Sequence, residues 1–344
     1  MQPGLFDIDD CYMRLDKAGD PLLSLSKAID WSGLAELMKT IKFESENNGN
    51  KGGRRPLDGL MMSKILILQA YNNLSDENCE FLINDRMTYK RFLGLKFNQK
   101  APDAKAIWLW RERIKFSGLH EKIFAWFEKQ LTQAGFIANE GQIIDATFVP
   151  THKPGGKHKK QIKEEIALTP AQASQIDPDA TFTKKGGRHY HGYKNHIQID
   201  KQYKLIRKSE VTTASRHDSQ ELGALLDRDN TGKEIWADSA YRSKEAEEKL
   251  AEQGFISHIN ERAYRNAPLT EGQKVANHKR SRVRARGEHP FAFMNNSMGG
   301  LLIHTMTLAR AKVKIVFKNL VYNMCRFAYL QKCKSQQFKL KMAA

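Results

Sequence analysis

Asp145 is an acidic residue inside a stretch that otherwise predicts a buried strand. The stretch is GQIIDATFVP, residues 141–150, and its β-branched and aromatic residues continue to Pro150, which stops strand pairing. A buried, ionised carboxylate must be paired, hydrogen-bonded or bound to a cation, because isolation shifts its pKa or destabilises the fold. We favour a cation at Asp145. The simpler alternative is a carboxylate satisfied by backbone N–H groups or by a neighbouring arginine.

Asp238 and Glu288 complete a set of three acids that different elements would supply. Asp238 follows the short apolar strand Glu234–Ala237, where small residues let another group approach. Glu288 follows the most basic part of the chain, and Arg284 precedes it by one helical turn, so both side chains could face one site. Glu288 is therefore either an ion-pair partner of the arginines or a metal ligand beside arginines that hold a phosphate chain.

The chemistry expected of such a set is that of divalent metal ions acting on phosphate. Hard oxygen ligands supplied singly by different elements suit Mg²⁺ or Mn²⁺, which also accept phosphate oxygens as ligands. Two such ions about 3.5–4 Å apart can stabilise both the attacking and the leaving oxygen of an in-line phosphoryl displacement. The three acids predict this chemistry only if the fold brings them together.

The charge balance of the chain favours a polyanion as partner. The 344 residues include 56 Lys and Arg against 39 Asp and Glu, a net charge of +17. Ribosome association or an anionic membrane surface would satisfy the same balance. The chain lacks a run of about 18 apolar residues, and its N-terminus MQPGLFDIDD is acidic, which predicts neither a membrane span nor a signal peptide. Four dispersed cysteines indicate reduced thiols in a cytoplasmic protein.

The part of the chain before Asp145 is predicted to be helical. Residues 1–53 form a helical arm and a polar, glycine-rich linker, and residues 54–136 form a helical region for DNA binding or dimerisation. This region begins with three short helices and continues with one long amphipathic helix. The predicted segments are Leu57–Ala70, Asp76–Ile83 with Ser75 as its cap, a third helix that ends at Gly94, and Ala104–Ala134.

The three short helices resemble a helix-turn-helix unit. Lys64, Arg86, Lys90 and Arg91 lie on or between these helices and could contact phosphates. Exposed basic residues on any small helical bundle look the same, so the pattern is also compatible with a purely structural role.

Residues 137–330 predict a mixed sheet with helices on its faces. After the Asp145 strand come an exposed basic loop within residues 151–190, then two strands joined by a tight turn at Lys201-Gln202. A strand, a helix and a strand follow, then helical periodicity to residue 330 and a basic, frayed tail at 331–344. The predicted strands and helices here are Tyr193–Asp200, Tyr203–Ala214, Gln220–Leu226, Glu234–Ala237, Ser243–Gln253 and Phe255–Ile259.

The segments around the three acids resemble a known family. IIDATFVP, ADSAYRS and RARGEHPFAFMNNSMGG are similar to the three acidic motifs of bacterial insertion-sequence transposases of the DDE class, closest to the insertion sequence 5 type. The helical segment that starts RRPLDGLMMSKILILQAY is similar to that family's N-terminal domain, and GYKNHIQID, SRHDSQELGALLD and KNLVYNMCRFAYL agree as well. The resemblance covers roughly residues 50–330.

The resemblance implies both a fold and an activity. The fold is α/β, an RNase H-like mixed five-stranded sheet flanked by helices, with an N-terminal all-α, helix-turn-helix-like domain. Asp145, Asp238 and Glu288 would be the catalytic residues and the ligands of Mg²⁺, with Mn²⁺ as a substitute and two ions in the site. The protein would bind terminal inverted repeats of an insertion sequence, cleave there, and transfer the freed strand into target DNA.

The same resemblance identifies candidate DNA-binding residues. In the wider superfamily the Glu belongs to a Tyr-Arg-Glu-Lys pattern, which falls here on Ser281, Arg284, Glu288 and Asn295, so only the Arg and the Glu match. Phosphate binding therefore carries over to Arg284 alone. With the other basic residues of interest, the candidates are Arg284, Arg286, Arg282, Arg280, Lys279, Lys194, Arg86, Lys90 and Arg91.

The implied partners are the double-stranded DNA of the element ends and of the target, and at least one further copy of the chain, because two ends must be held together. The implied location is the bacterial cytoplasm, in association with the nucleoid. Two alternatives remain open. The protein could be a DNA-binding regulator with structural acids, or a nuclease that cuts without joining strands.

Overall fold

The chain divides into two compact units. The computed structural model describes residues 7–40, 57–137, 139–153, 169–185, 187–264 and 267–343. The first unit comprises Met1–Gln130 and Asn323–Ala344, and the second comprises Leu131–Tyr322. The predicted linker at 44–53 and the centre of the predicted basic loop, 154–168, lie outside the described residues.

The first unit is built of helices in its described part. They are α1 (Asp7–Ala18), α2 (Pro21–Ala28), α3 (Ser32–Lys39), α4 (Gly59–Asn72), α5 (Asp76–Asp85), α6 (Met87–Leu93), α7 (Ala104–Ser117) and most of α8 (Leu119–Gln133), with the end of the last helix of the chain. Predicted caps are confirmed, since the Ser75 side chain accepts from the Asn78 N–H at 3.1 Å and Gly94 ends α6. A helix-turn-helix geometry for α4 to α6 stays a prediction.

A buried ion pair joins three of these helices. The Arg111 guanidinium on α7 donates to both carboxylate oxygens of Asp76 on α5, at 2.7 Å each, and to Gln69 Oε1 on α4 at 2.8 Å. A bidentate pair of this kind is directional, and either partner left alone in the interior would be costly. The contact therefore fixes α4, α5 and α7 against one another.

The predicted long helix 104–134 is wrong, because two helices occupy this stretch. Gly118 adopts φ +62°, and its N–H bonds back to Ile114 and Lys115 carbonyls, which closes α7 with a left-handed residue. The apolar periodicity continues across the break, so the pattern of burial alone does not reveal it. Glycine in the left-handed region marks the end of a helix at little steric cost.

The second unit holds a six-stranded mixed sheet in its described part, where five strands were predicted. The strands are β1 (Gln142–Pro150), β2 (Thr181–Lys185), β3 (Arg188–Asp200), β4 (Ile206–Thr213), β5 (Glu234–Ala237) and β6 (Ile256–Ser257). Their order is β2-β3-β1-β5-β6, with β4 also paired to β3. β1 runs antiparallel to β3 and parallel to β5.

The additional strand β2 lies within the stretch that was predicted to be an exposed basic loop. Thr181, Phe182 and Thr183 have high strand propensity, and β2 pairs antiparallel with the start of β3. Lysines and arginines beside these residues hide the pattern in the sequence. β3 consequently begins at Arg188, before the predicted start at Tyr193.

Along the chain, the helices of the second unit lie between and after the strands of this sheet. They are α9 (Pro170–Ala173), α10 (Leu222–Leu225), α11 (Lys244–Glu252), α12 (Glu271–Arg284), α13 (Glu288–Ser297) and the first part of α14 (Leu308–Ala343), with short 3₁₀ turns at Asp218–Glu221, Ser239–Tyr241 and Ala285–Gly287. The predicted fraying of the tail is wrong, because α14 continues to Ala343. The chain after Gly300 contains neither glycine nor proline, so nothing in it ends the helix.

The predicted two-residue turn between β3 and β4 is also wrong, because residues 201–205 form a longer connection. The Asp200 carboxylate accepts from the backbone N–H groups of Gln202 at 3.2 Å and Tyr203 at 2.5 Å. Lys204 then adopts the left-handed region at φ 60°. An aspartate that bonds its own following backbone stabilises this kind of turn.

Two apolar clusters cover the two faces of the sheet. Ile144 and Val149 lie five positions apart on β1, so they point to opposite faces. Ile144 packs with Leu222, Leu225, Leu226, Ile235, Ala237, Tyr241, Leu250, Phe255 and Ile259. Val149 packs with Tyr193, Val211, Ile303, Ala311 and Ile315. Asp145 alternates with Ile144 and therefore lies on the Val149 face.

Two further predictions concern the chain as a whole. All four cysteines are free thiols, as predicted. Among the described residues, no helix has both the length and the apolar character needed to cross a bilayer.

Candidate active site

The strand register brings Asp145 and Asp238 side by side. β1 and β5 are parallel neighbours, with Ile144 opposite Ala237, and each acid is the next residue along its strand. Ala237 packs in the same cluster as Ile144, so the following residues turn to the opposite face together. Two acids separated by 92 intervening residues therefore meet on one face of the sheet, where β5 ends.

Local hydrogen bonds orient both aspartates. Asp145 Oδ1 accepts from the Ala146 N–H at 3.0 Å. Asp238 Oδ1 accepts from the Ser239 N–H at 2.5 Å and from its hydroxyl at 3.2 Å, and thereby caps the 3₁₀ turn that follows β5. In each case Oδ2 is left to other partners.

Glu288 reaches the same place from the junction of α12 and α13. Arg284 Nη1 lies 3.6 Å from Asp145 Oδ2, and its Nη2 lies 3.5 Å from Glu288 Oε1. Gly287 packs directly on β1, because a Cβ built there would lie 3.0 Å from Ile143 Cγ2 and 3.5 Å from Asp145 Cβ. Arg284 thus links Asp145 with Glu288, and the strand register sets Asp238 next to Asp145.

The site is more exposed on its helical side than on its sheet side. The Glu288 side chain is 62% exposed, whereas the Asp145 side chain is 14% exposed. The site therefore opens toward α12 and α13, and Asp145 lies deeper in it than Glu288.

Burial raises the pKa of Asp145 to about 6, with the Arg284 guanidinium and the Ala146 N–H acting in the opposite direction. The Asp238 and Glu288 carboxylates raise this pKa further. Both effects are expected when a carboxylate is desolvated beside like charges. The single positive charge of Arg284 does not neutralise the negative charge of three carboxylates.

A divalent cation fits the chemistry of this donor set. The three carboxylates offer hard oxygens from three different elements, and their combined charge exceeds that of Arg284. Within the described ranges, no three His, Cys, Asp or Glu side chains are arranged as a finished metal site. The residues therefore suit a cation by charge and ligand type, while ligation would require the carboxylates to move closer together than Arg284 now holds them.

The basic residues of α12 and the following turn precede Glu288 along the chain. Lys279, Arg282 and Arg286 are exposed. Arg280 is half-buried, donates to the Ile259 carbonyl at 3.1 Å and lies 3.7 Å from Glu261. Arg286 donates to the Lys201 carbonyl at 3.0 Å. Of these residues, Lys279 and Arg282 present exposed side chains from α12 itself.

The other candidate DNA-binding residues lie on other elements. Lys194 on β3 is buried, and its Nζ donates to Asp218 at 2.8 Å and to the Arg216 carbonyl at 2.6 Å. Lys90 is buried and donates to the Phe97 carbonyl at 2.5 Å. Arg91 pairs with Asp16 and Asp20. Arg86 is exposed.

Tyr241 is a buried polar residue of this region that sequence reasoning missed. It lies three residues after Asp238 and is 1% exposed, and its hydroxyl has no hydrogen-bond partner among the described residues. Burial raises the pKa of Tyr241 well above its usual value, and Asp218, Asp145 and Asp238 act in the same direction. Its place in the segment ADSAYRS was the available signal.

Comparisons with known proteins indicate the family to which the chain belongs. Residues 138–324 match the family described as "Transposase DDE domain", and residues 9–113 match the family described as "Transposase domain (DUF772)". The chain is also similar to a cryo-EM structure of the piggyBac transposase synaptic complex with hairpin DNA, at 13% identity and a TM-score of 0.48, over 92% of this chain and 76% of that one. The first match spans more than half of the chain and contains Asp145, Asp238 and Glu288, so the protein belongs to the transposase DDE domain family.

Proposed function

We propose that this protein is the transposase of an insertion sequence of the insertion sequence 5 type. It binds the terminal inverted repeats of the element, cleaves the DNA there with divalent metal ions, and joins the freed 3′ end to target DNA. The observation that carries the proposal is the position of Asp145, which lies next to Asp238 in the sheet and is linked to Glu288 by Arg284. The second unit would be an RNase H-like catalytic domain, and α4 to α6 a DNA-binding unit of helix-turn-helix type.

In this proposal the three carboxylates hold Mg²⁺, or Mn²⁺ in its place. Two bound ions would supply Lewis-acid stabilisation of the attacking and the leaving oxygens of the phosphoryl transfer. Asp145 on β1 and Asp238 just after β5 would contribute ligands from the sheet, and Glu288 would contribute one from the start of α13. Arg284 would exchange its carboxylate contacts for a DNA phosphate, to which a guanidinium can donate two parallel hydrogen bonds.

The basic residues around the acids would hold the DNA strand in place. Lys279 and Arg282 are exposed and suited to phosphate contacts, and Arg286 lies beside Glu288. Transfer of two ends to one target requires both ends in one complex, so we propose at least a dimer on DNA. The cytoplasmic location predicted from the sequence belongs to this proposal as well.

The proposal is tested with DNA that flanks the coding sequence, used as labelled duplexes together with a target plasmid and Mg²⁺. Asp145→Asn, Asp238→Asn and Glu288→Gln are each expected to reduce cleavage and joining by roughly 10³-fold or more, because residues that act as a unit fail together. Binding of the duplex should change little. Glu140→Gln is the matched control, since Glu140 is an exposed acid just before β1.

The alternatives give different products in the same assay. A DNA-binding regulator would retain the labelled duplex without any metal-dependent nick. A nuclease on the same fold would nick the duplex and leave the plasmid unjoined. Full activity of Asp145→Asn would contradict the proposed chemistry.

A further inference from the structure

Side chains tie the segment that carries Glu288 to the turn between β3 and β4. Arg286 Nη1 donates to the Lys201 carbonyl at 3.0 Å. His289 Nδ1 lies 2.9 Å from Tyr322 Oη, and Tyr322 Oη lies 2.7 Å from the Lys204 carbonyl. Glu288 therefore lies between Arg286, which bonds to this turn directly, and His289, which is linked to it through Tyr322.

The direction of these hydrogen bonds follows from their chemistry. The Lys204 carbonyl only accepts, so the single proton of the Tyr322 hydroxyl is donated to it. The Tyr322 oxygen must then accept from His289, whose Nδ1 carries the proton. The chain of contacts therefore places a proton on His289 Nδ1.

The two ends of this chain of contacts are themselves rigidly held. At one end, the Asp200 carboxylate fixes the turn through the Gln202 and Tyr203 N–H groups. At the other, Tyr322 is 1% exposed on α14, one turn after Lys318. Lys318 Nζ donates to the Met298 carbonyl at 3.0 Å, at the far end of α13. α14 thus contacts the helix of Glu288 at both of its ends.

The neighbouring turn of α14 is anchored to the sheet as well. Asn319 and Asn195 are both buried and exchange amide hydrogen bonds of 2.8 and 3.2 Å. Asn195 lies opposite Thr147 on β1, two positions from Asp145. The position of α14 relative to the Asp145 strand is therefore specified by a polar pair that tolerates little displacement.

We propose that Tyr322 is a positioning residue for Glu288. Its hydroxyl couples His289 to the β3–β4 turn and so holds the start of α13, which carries Glu288, against the strand of Asp145. The inference rests on the proposed function, because it assigns Tyr322 a part in assembling the metal-binding carboxylates. Partners that orient metal ligands commonly affect metal affinity about tenfold to 100-fold.

The test compares Tyr322→Phe, which removes only the hydroxyl, with the wild type. The probe is Mn²⁺ alone, whose binding to the DNA-free protein is followed by electron paramagnetic resonance. We expect a loss of Mn²⁺ affinity of about tenfold, a comparable loss in the cleavage rate, and an unchanged KM for the DNA duplex. Tyr264→Phe is the matched control, because Tyr264 is 62% exposed and its hydroxyl is removed in the same way.

A second pair of variants separates the hydrogen bond from packing. Asn places an amide donor near the position of the His Nδ1, so His289→Asn should keep Mn²⁺ affinity close to the wild type, whereas His289→Leu should lose it as Tyr322→Phe does. Equal losses in His289→Asn and His289→Leu, or unchanged Mn²⁺ affinity in Tyr322→Phe, would overturn the proposal.

A comparison of Glu288→Gln with Tyr322→Phe separates a failure of the positioning role from a failure of the proposed function. If Glu288→Gln abolishes cleavage and Tyr322→Phe leaves Mn²⁺ binding and cleavage intact, only the positioning role fails. If Glu288→Gln cleaves like the wild type, the proposed function fails and the role of Tyr322 fails with it.

Discussion

At the residue scale, Asp145 combines burial with neighbouring negative charge. Its carboxylate lies on β1 beneath Gly287 and beside Asp238, and the contact with Arg284 only partly compensates it. Structural carboxylates are normally paired in full, because an uncompensated buried charge destabilises the fold. The excess of acid here is what a site for a divalent cation requires, and it makes the stability of the metal-free protein depend on pH.

The raised pKa of Asp145 predicts the direction of that dependence. Between the unfolded value near 3.8 and the folded value of about 6, the folded protein binds more protons, so its contribution to stability is present at low pH and lost as pH rises. In chelator, Asp145→Asn should therefore stabilise the protein at pH 8 by about 1–3 kcal/mol, and by little at pH 4.

Urea unfolding of the wild type, Asp145→Asn and the exposed control Glu140→Gln at both pH values measures this difference. A destabilised Asp145→Asn protein at pH 8 would show that Arg284 satisfies the carboxylate, which is the simpler alternative to a cation site.

At the element scale, the junction between α12 and α13 brings Glu288 onto the sheet. A 3₁₀ turn at Ala285–Gly287 connects the two helices, and Gly287 has ordinary helical dihedrals, so the glycine is needed for space and not for conformation. Any side chain there would press on Ile143 and Asp145. The close approach of this backbone to β1 is what allows a helix to supply the third acid.

Gly287→Ala is therefore expected to move the junction away from β1. A Cβ at 3.0 Å from Ile143 Cγ2 is tight, and strain of this kind typically destabilises by about 1–3 kcal/mol. The cleavage rate should fall with the displacement of Glu288, by up to roughly 100-fold for a shift near 1 Å.

Gly272→Ala on α12 is the control, because a Cβ there meets no atom within 4 Å. It should raise stability by roughly 0.5–1 kcal/mol through helix propensity and leave cleavage unchanged. Thermal unfolding and the cleavage assay measure both variants, and equal behaviour of the two would mean that Gly287 has no positioning role.

At the scale of the whole molecule, the net charge of +17 favours DNA over uncharged partners. Not all of this charge is available to bind DNA, because several basic side chains make contacts within the protein. Among them are those of Lys90, Arg91 and Lys194. The exposed basic residues of α12 lie on the helix that leads to Glu288. We expect them to contribute to DNA affinity through phosphate contacts that are independent of base sequence.

The prediction is a change in salt dependence. Replacing both Lys279 and Arg282 by Gln should weaken binding to all duplexes alike and reduce the slope of log K against log salt by about 2, since each phosphate contact contributes about 0.9.

A matched control replaces Lys244 and Lys249 on α11, whose Leu250 packs on the other face of the sheet. Fluorescence anisotropy between low and moderate salt measures both slopes. An equal reduction in the control would show that net charge, and not the surface of α12, decides binding.

The sequence by itself determined the local features of this protein. The three acids, the family resemblance and most helix and strand segments follow from residue types within a few positions of one another, as do the caps at Ser75 and Gly94. These features depend on short-range hydrogen bonds and backbone preferences, which the types of neighbouring residues indicate directly. The prediction was wrong where neighbouring residues obscured the local signal. This happened at Gly118, which lies within an unbroken apolar period, and at β2, which lies among basic residues.

Only the tertiary structure decided which of these residues meet. The parallel register of β1 and β5 sets Asp145 beside Asp238, and the close approach of Gly287 adds Glu288. Likewise the burial of Lys194 against Asp218 and the contact of His289 with Tyr322 join residues far apart in the chain. Such pairs are selected by the packing of whole elements, whose free energy is shared over many side chains, and so no short stretch of sequence specifies them.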